Sequence, residues 1–319
     1  MPLTISVNSL DVNLEKVRET LRTGNCIGLP TETVYGLAAD ATNGTAVAKI
    51  FELKGRPKFN PLICHVSDMT MAETYGIFDP LSKKLGDAFW PGPLTLIVPL
   101  SLESSIHALV TAGLDTVGLR CPRGIAGKVI ADFGKPLAAP SANRSGRVSP
   151  TTADHVVSEF EETDLSVIDA GPCDVGLEST IVKVEGNQIF ILRPGSVTHD
   201  QIKDVTGIAP QEPADTKIIA PGMLKSHYAP DAQVVLDCEE CDETDGWLQF
   251  GANCPEHPLA INLSPSGNLQ EAAANLYRGL KALDAHRIPR LCVSPIPLEG
   301  LGIAINDRLR RAAAQKEST

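Results

Sequence analysis

Between residues 205 and 231 the chain loses all periodicity, and Pro210, Pro213, Pro221 and Pro230 interrupt it. Proline cannot continue a helix or donate to a central strand, so this stretch reads as a linker between two separately patterned units. Before it, short apolar runs alternate with helical periods: CIGLP, PLICHV, LTLIVPL, TVGLRCP, PLAAPSA, SVIDAG, STIVKV and IFILRPG read as strands, and residues 11–24, 41–56 and 124–133 as helices. After it, AQVVLD, WLQF, LAINL and RLCVSP read as strands. Residues 268–286 read as an amphipathic helix with Leu269, Ala272, Ala273, Leu276, Leu280 and Leu283 on one face, and 301–314 as a last helix. The expectation is an α/β protein with three parts. Residues 1–204 would form a twisted open mixed sheet with helices, 205–231 a linker, and 232–319 a small Rossmann-like α/β unit.

At 319 residues with 43% apolar side chains, the chain has material for two packed cores and little reason to be disordered. The net charge of −11 disfavours a general nucleic-acid coat, because such binding rests on Lys and Arg meeting phosphates. It leaves a local basic pocket open. The N-terminus lacks a basic segment followed by an apolar run, and no run of apolar residues reaches membrane-spanning length, so a cytoplasmic protein with no membrane contact is expected. Eight scattered cysteines suit reduced thiols better than a disulfide framework.

The familiar glycine-rich phosphate loops, the serine-hydrolase elbow and the zinc-protease motif are all missing. In KGRPKFNPL, an extended segment would turn Lys54, Arg56 and Lys58 to one side, where three cations call for an anion such as a triphosphate; a solvated basic loop is the alternative. KPLAAPSANRSGRVSP carries Ser141, Asn143, Ser145, Ser149, Arg144 and Arg147, small polar donors suited to phosphate or sugar, or an ordinary turn cluster. Arg120 and Arg193 end apolar strands, where ligands often bind in open α/β sheets, yet strand-end arginines are commonly surface ion-pair partners. His65 inside a strand reads as structural, and Glu32 and Glu178 as polar-loop carboxylates that could meet magnesium or an amine. Cys238, Cys241, Cys254 and His257 are spaced C-x-x-C, twelve residues, C-x-x-H. That spacing is seen in structural zinc sites, but the first pair lies in an acidic loop and Cys254 abuts a strand, which favours four unlinked loop residues, and no metal ligand is assigned.

Seven strings in order, PTETVYGL (30–37), KGRPKFNPL (54–62), WPGPLT (90–95), TAGLDTVGLRCP (111–122), AAPSANRSG (138–146), GLESTIV (176–182) and LRPG (192–195), together resemble the YrdC family of L-threonylcarbamoyladenylate synthases in its long two-domain form. APGMLKSHYAPDA (220–232) and GLGIAINDRLRRAA (300–313) look like that form's linker and C-terminal end. The resemblance implies a YrdC-like catalytic unit with a positively lined cavity. It implies threonine contacts from Thr33, His65, Thr116 or Arg120, Ala139 and Ser179, and ATP contacts from Lys54, Arg56, Asn60, Ser141, Asn143, Ser149 and Arg193. It also implies a lid formed by the linker, with Tyr228 reaching the nucleotide. The implied reaction is nucleotidyl transfer: L-threonine, bicarbonate and ATP, with magnesium, give threonylcarbamoyl-AMP and pyrophosphate. The product would pass to a tRNA-modifying threonylcarbamoyl transferase complex, with at most weak tRNA contact. Lys54, Arg56 and Arg193 are the expected catalytic cations. Two other readings stand beside it: a double-stranded RNA or tRNA binding module, and a carbamoyltransferase-type enzyme using carbamoyl phosphate.

Overall fold

The computed structural model describes residues 3–6, 10–213 and 227–314. The first unit runs β1 (Leu3–Ser6), α1 (Leu10–Arg22), β2 (Ile27–Leu29), β3 (Gly36–Asp40), α2 (Gly44–Lys54), β4 (Ile63–His65), α3 (Met69–Tyr75), α4 (Pro80–Phe89) and β5 (Leu94–Pro99). It continues with α5 (Ala108–Thr111), β6 (Thr116–Arg120), α6 (Ile125–Phe133), β7 (Leu137–Ala138), α7 (Ala153–Glu159), β8 (Ser166–Asp169), β9 (Thr180–Glu185), β10 (Gln188–Arg193) and α8 (His199–Thr206). The second runs β11 (Gln233–Val235), β12 (Gly246–Gln249), β13 (Ala260–Asn262), α9 (Leu269–Asp284), β14 (Arg290–Val293) and α10 (Leu301–Ala313). The first ten strands form one mixed sheet in the order β1-β8-β2-β3-β7-β4-β6-β5-β9-β10, and the last four a parallel sheet in the order β11-β14-β12-β13. Among the described residues no helix is long and apolar enough to cross a membrane.

Alternation along the central strands gives the large sheet two faces. Cys64, Leu96, Leu119 and Val182 join the main core, while Ile63, Ile97, Ile181 and Leu192 form a small cluster on the other face. The helix α2 is held at both ends. Asn43 Oδ1 accepts from the backbone N–H groups of Thr45 and Ala46, and Gly55, at φ 60°, closes the last turn with N–H bonds to Phe51 and Glu52 carbonyls. Its buried side, Ala46, Val47, Ile50 and Phe51, also carries Lys54 inward. In α9, Asn268 caps the first turn, and Ala272, Ala273, Leu276, Tyr277, Leu280 and Leu283 pack inward. Full burial of each such large apolar side chain is worth about 1.5–3 kcal/mol.

The second core is shared between the units: Val34, Val148, Leu177 and Tyr228 pack with the residues of α9 and α10. Two expectations change. The extended form expected for 54–58 is absent, because Lys54 ends α2 and Gly55 turns the chain; Arg56 is buried but Lys58 is exposed, so three cations do not face one way. The early part of the aperiodic stretch also has structure. Thr206 ends α8, and Gln211 pairs with Phe190, extending the sheet past β10. Of the expected lid at 205–231, residues 214–226 lie outside the described residues.

Candidate functional site

A cavity lies against the face of the large sheet opposite the main core. The loop joining β2 to β3 walls it with Thr31, Thr33 and Val34; Ile63 and His65 of β4 floor it, two apart and so on one face; Arg120 ends β6 in register with His65. Ala139, Pro140 and Ser141 follow β7, Glu178 and Ser179 precede β9, Arg193 ends β10, and His227 and Tyr228 close it from beyond the aperiodic stretch. The cavity is therefore on the sheet rather than beyond its strand ends. Arg193 reaches it through a bulge: the register shifts after Ile191, so that Arg193 pairs with Ile181, a cavity-face residue, instead of continuing the core-facing row of Ile189 and Ile191.

Arg120 is held by three groups. It donates through Nη1 to Thr33 Oγ1 at 2.8 Å and through Nε to the Gly92 carbonyl at 3.3 Å, and its Nη2 lies 2.8 Å from Glu32 Oε1. Five N–H groups on a guanidinium leave some to face the cavity. Arg193 donates to the Ser179 carbonyl at 3.1 and 2.9 Å and to Ser179 Oγ at 3.2 Å, and Thr95 and Ser179 hydroxyls lie 2.7 Å apart. Arg56 donates to the carbonyls of Asn60 and Pro61 at 3.2 and 2.9 Å. Lys54 Nζ donates to the carbonyls of Ser141 and Asn143 at 2.6 and 2.5 Å. Among the described residues, neither Lys54 nor Arg56 is ion-paired to a carboxylate, though both are buried. Burial and the neighbouring Arg56 push the Lys54 ammonium well down. Burial lowers Arg56 to about 10. Burial is the first cause of both shifts, and Arg56 beside Lys54 and Arg193 beside Arg56 add to it.

Burial, with Arg120 beside it, lowers His65 to about 3, so it is neutral at physiological pH. Its Nδ1 is buried without a hydrogen-bond partner, as are Asn60 Oδ1 and Asn143 Oδ1, among the described residues. Buried polar atoms rarely stay unpaired, so these are places for ligand groups. Tyr228 is 1% exposed at φ 62°, a left-handed conformation that costs a non-glycine residue about 1–2 kcal/mol.

Glu178 is the carboxylate of the cavity wall, and its oxygens are committed. Ser149 donates to Oε1 at 2.6 Å; Tyr277 and Arg308 donate to Oε2, each at 2.8 Å. Burial alone would raise Glu178, but Arg308 and Arg193, with the Ser149 bond, hold it at about 2. Arg308 is fully buried, sits 5.3 Å from the Tyr228 ring centroid, and comes from α10; Tyr228 stacks on Tyr277 of α9 at 5.7 Å.

Of the residues named from sequence, Thr33, His65, Arg120, Ala139, Ser179, Arg56, Ser141, Arg193 and Tyr228 line one cavity. Lys54, Asn60, Asn143 and Ser149 stand just behind, bonded to its wall or beside Arg56. Thr116 is not brought there. It opens β6, about 13 Å along the strand from Arg120, and pairs with Pro99. His227, Tyr277 and Arg308 were not named from sequence, and Glu178, read as a loop carboxylate that could meet magnesium or an amine, has its oxygens taken by Ser149, Tyr277 and Arg308. The signal for Glu178 was its place in GLESTIV beside Ser179; nothing in the spacing pointed to Arg308.

Cys254 and His257 are not gathered with Cys238 and Cys241. Cys254 Sγ faces the carbonyls of Phe250 and Gly251, and His257 Nε2 lies 3.1 Å from the Asp242 carbonyl.

Family models match the chain in two adjoining pieces: one described as telomere recombination, spanning Sua5, YciO and YrdC proteins, over residues 19–195, and one described as the threonylcarbamoyl-AMP synthase C-terminal domain, over 197–314. The threonylcarbamoyl-AMP synthase of Bacillus subtilis is 35% identical, covering 98% of this chain and 96% of its own. That of Pyrococcus abyssi is 36% identical over 93% and 92%. The crystal structure of P. abyssi Sua5 complexed with L-threonine superposes with a TM-score of 0.89 at 33% identity, over 98% of this chain and 97% of that one. With both matched pieces in order and relatives covered nearly end to end, the chain belongs to the two-domain threonylcarbamoyl-AMP synthases.

Proposed function

We propose that the chain condenses L-threonine, bicarbonate and ATP into threonylcarbamoyl-AMP and pyrophosphate, as an adenylyl-transferring enzyme of the cytoplasm. The observation that carries this reading is the pair of buried cations, Lys54 and Arg56, that meet only backbone carbonyls among the described residues, beside a cavity that also receives Arg120 and Arg193. A buried cation without a carboxylate is costly unless an anion arrives. A triphosphate and an amino-acid carboxylate supply several. The relative bound to L-threonine supports placing the amino acid in this cavity.

The threonine amine takes up the carbon of bicarbonate, releasing water, and becomes a carbamate. A carbamate oxygen then attacks the α-phosphorus, the bond to the β-phosphate oxygen breaks, and pyrophosphate leaves. Both reactants are anionic, so the protein's task is to hold like charges together in the attacking geometry. Arg56 and Arg193, with the remaining N–H of Lys54, balance phosphate charge. Asn60, Ser141, Asn143, Ser149 and Tyr228 belong to the nucleotide side. Thr33, His65, Ala139 and Ser179 frame the amino acid, and Arg120 meets its carboxylate. Neutral His65 orients by hydrogen bonding rather than by exchanging a proton. Tyr228 helps exclude water from the carbamate and the mixed anhydride.

Magnesium suits this cavity as part of the nucleotide substrate. Both oxygens of Glu178 are taken and Glu32 is paired to Arg120, so among the described residues no free carboxylate on the wall offers a resident ion its usual ligand. The product is an activated carbamoyl donor, fit for a tRNA-modifying transferase.

The experiment is pyrophosphate release by the full chain. It is expected to require ATP, L-threonine and bicarbonate together. Release that persists without threonine would reject the assignment.

A further inference from the structure

The parallel strands β11 and β12 have β14 between them, so the chain must cross β14 to join them. Such a crossover usually takes a dozen or more residues and a helix. Here residues 236–245 make it without one. Helices α9 and α10 serve the opposite face: Leu291 and Val293 pack in their core, and Cys292, between them, does not. Strand alternation turns Cys292 towards the crossover. Cys292 is paired with Val235 on one side and Trp247 on the other, so it sits at the middle of the small sheet.

The crossover brings Cys238, Cys241 and Asp245 to it. The sulfurs of Cys241 and Cys292 and a carboxylate oxygen of Asp245 all lie within 4.8 Å of one another. Cys238 opens the same loop, three residues before Cys241. The Cys238 backbone N–H bonds the Val293 carbonyl at 2.9 Å, which fixes the start of the loop at the end of β14. Cys292 and Asp245 are 1% and 3% exposed. Asp245 is held by Arg290 Nε at 2.8 Å, the kind of support that ligating carboxylates receive.

We propose that Cys238, Cys241, Cys292 and Asp245 form a closed tetrahedral site for a thiophilic divalent cation of the zinc class. Three sulfurs and one carboxylate oxygen match zinc's preferences in ligand type and number, and exclude magnesium and calcium, which take oxygen. Sulfurs on one tetrahedral zinc stand about 3.8 Å apart, so Cys241 and Cys292, with Asp245 within 4.8 Å, close by small side-chain rotations, and the Cys238 side chain turns in from the start of the loop as the fourth ligand. Glu239, Glu240, Asp242 and Glu243 on the exposed loop add negative potential that attracts a cation. The ion ties the crossover to the middle strand where another fold would pack a helix. This ligand set shares only two members with the C-x-x-C, C-x-x-H spacing; Cys292, fifty-one residues after Cys241, is the one the spacing could not show.

The test uses the full chain, purified under reducing conditions without chelator. Its metal content is measured by mass spectrometry, and the stripped protein is then titrated with zinc against a chromophoric chelator and with cobalt. About one zinc per chain and a thiolate-to-cobalt charge-transfer band are expected. Cys241→Ser, at a half-exposed position that should leave the fold intact, is expected to weaken zinc binding by more than the ~10–100-fold typical of losing a supporting group. Cys254→Ser is expected to leave affinity unchanged. A reduced, folded protein that binds neither metal through thiolates overturns the proposal. So does a Cys238–Cys241 disulfide in protein taken directly from cells, or a zinc affinity that falls with Cys254→Ser and not with Cys241→Ser.

Discussion

Glu178 and Arg308, 130 residues apart, meet where Arg308 is fully buried and Glu178 nearly so. Each leans on the other, with Asp307 also meeting Arg308 at 2.6 Å and Ser149 and Tyr277 also donating to Glu178, since an unpaired buried charge loses its hydration with nothing in return. Arg308→Met is expected to destabilise the protein by about 3–5 kcal/mol, and adding Glu178→Gln to it should recover part of that loss. Calorimetric melting of the two single variants and the double variant measures the coupling; additive losses would show that the pair is not coupled. This pair was the least readable feature of the sequence. The period of α10 marks Ile305, Leu309 and Ala312 as inward, and Arg308 lies on the same side, but a charge on a buried face has meaning only with its partner known. Arg56 was legible because proline, glycine and alternating charge set KGRPKFNPL apart. Thr116 was misplaced because a string match fixes neighbours in sequence, while a strand carries its two ends about 13 Å apart.

At the scale of elements, α2 links stability to the site. Neither of its caps was read from sequence: the helix was drawn over 41–56, past Asn43 and Gly55, and Gly55 instead turns the chain sharply. Asn43→Ala should cost about 1 kcal/mol and lower the melting temperature without altering ATP kinetics. Gly55→Ala should cost a comparable amount, because φ 60° disfavours a Cβ, and should also raise the KM for ATP, since Lys54 and Arg56 flank the turn. Equal kinetics in the two variants would separate the turn from the site. Long strands and α9 were legible from period alone. The four-residue α5 and β1 were not, since so few residues carry no period, whereas the two-residue β7 was read in PLAAPSA; β1 and β7 are held as paired neighbours in the large sheet.

The whole molecule joins its two units through one continuous core, and the expected partition of the chain gave no hint of that sharing. Val34, Leu177 and Tyr228 pack among residues of α9 and α10, and Gly176, at φ 74°, brings its backbone so close to α9 that a Cβ would stand 2.5 Å from the Ala273 carbonyl oxygen. A chain ending at residue 213 is expected to lose nearly all pyrophosphate release, because Tyr228, His227 and Arg308 leave with the second unit. Full activity in that fragment would make the second unit dispensable. Acid should act on the assembled protein in two steps. His65 and His227, both held neutral mainly by burial and lowered to about 3, favour folding fully above the unfolded value of 6.5; as pH falls below it the unfolded chain binds more protons, and stability declines. Glu178, held at about 2, adds its share above 4.5 and loses it as pH falls towards 2. Stability should therefore fall between pH 6.5 and 5 by roughly 1–2 kcal/mol for each histidine, read as a lower melting temperature, and His227→Gln should flatten that drop. The carboxylate shared by Ser149, Tyr277 and Arg308 has one more consequence. Chimaeras that exchange the small unit among relatives would work only when the incoming last helix places a guanidinium at the turn where Arg308 now lies, so the two halves of the gene should be inherited, and recombined, as a matched set.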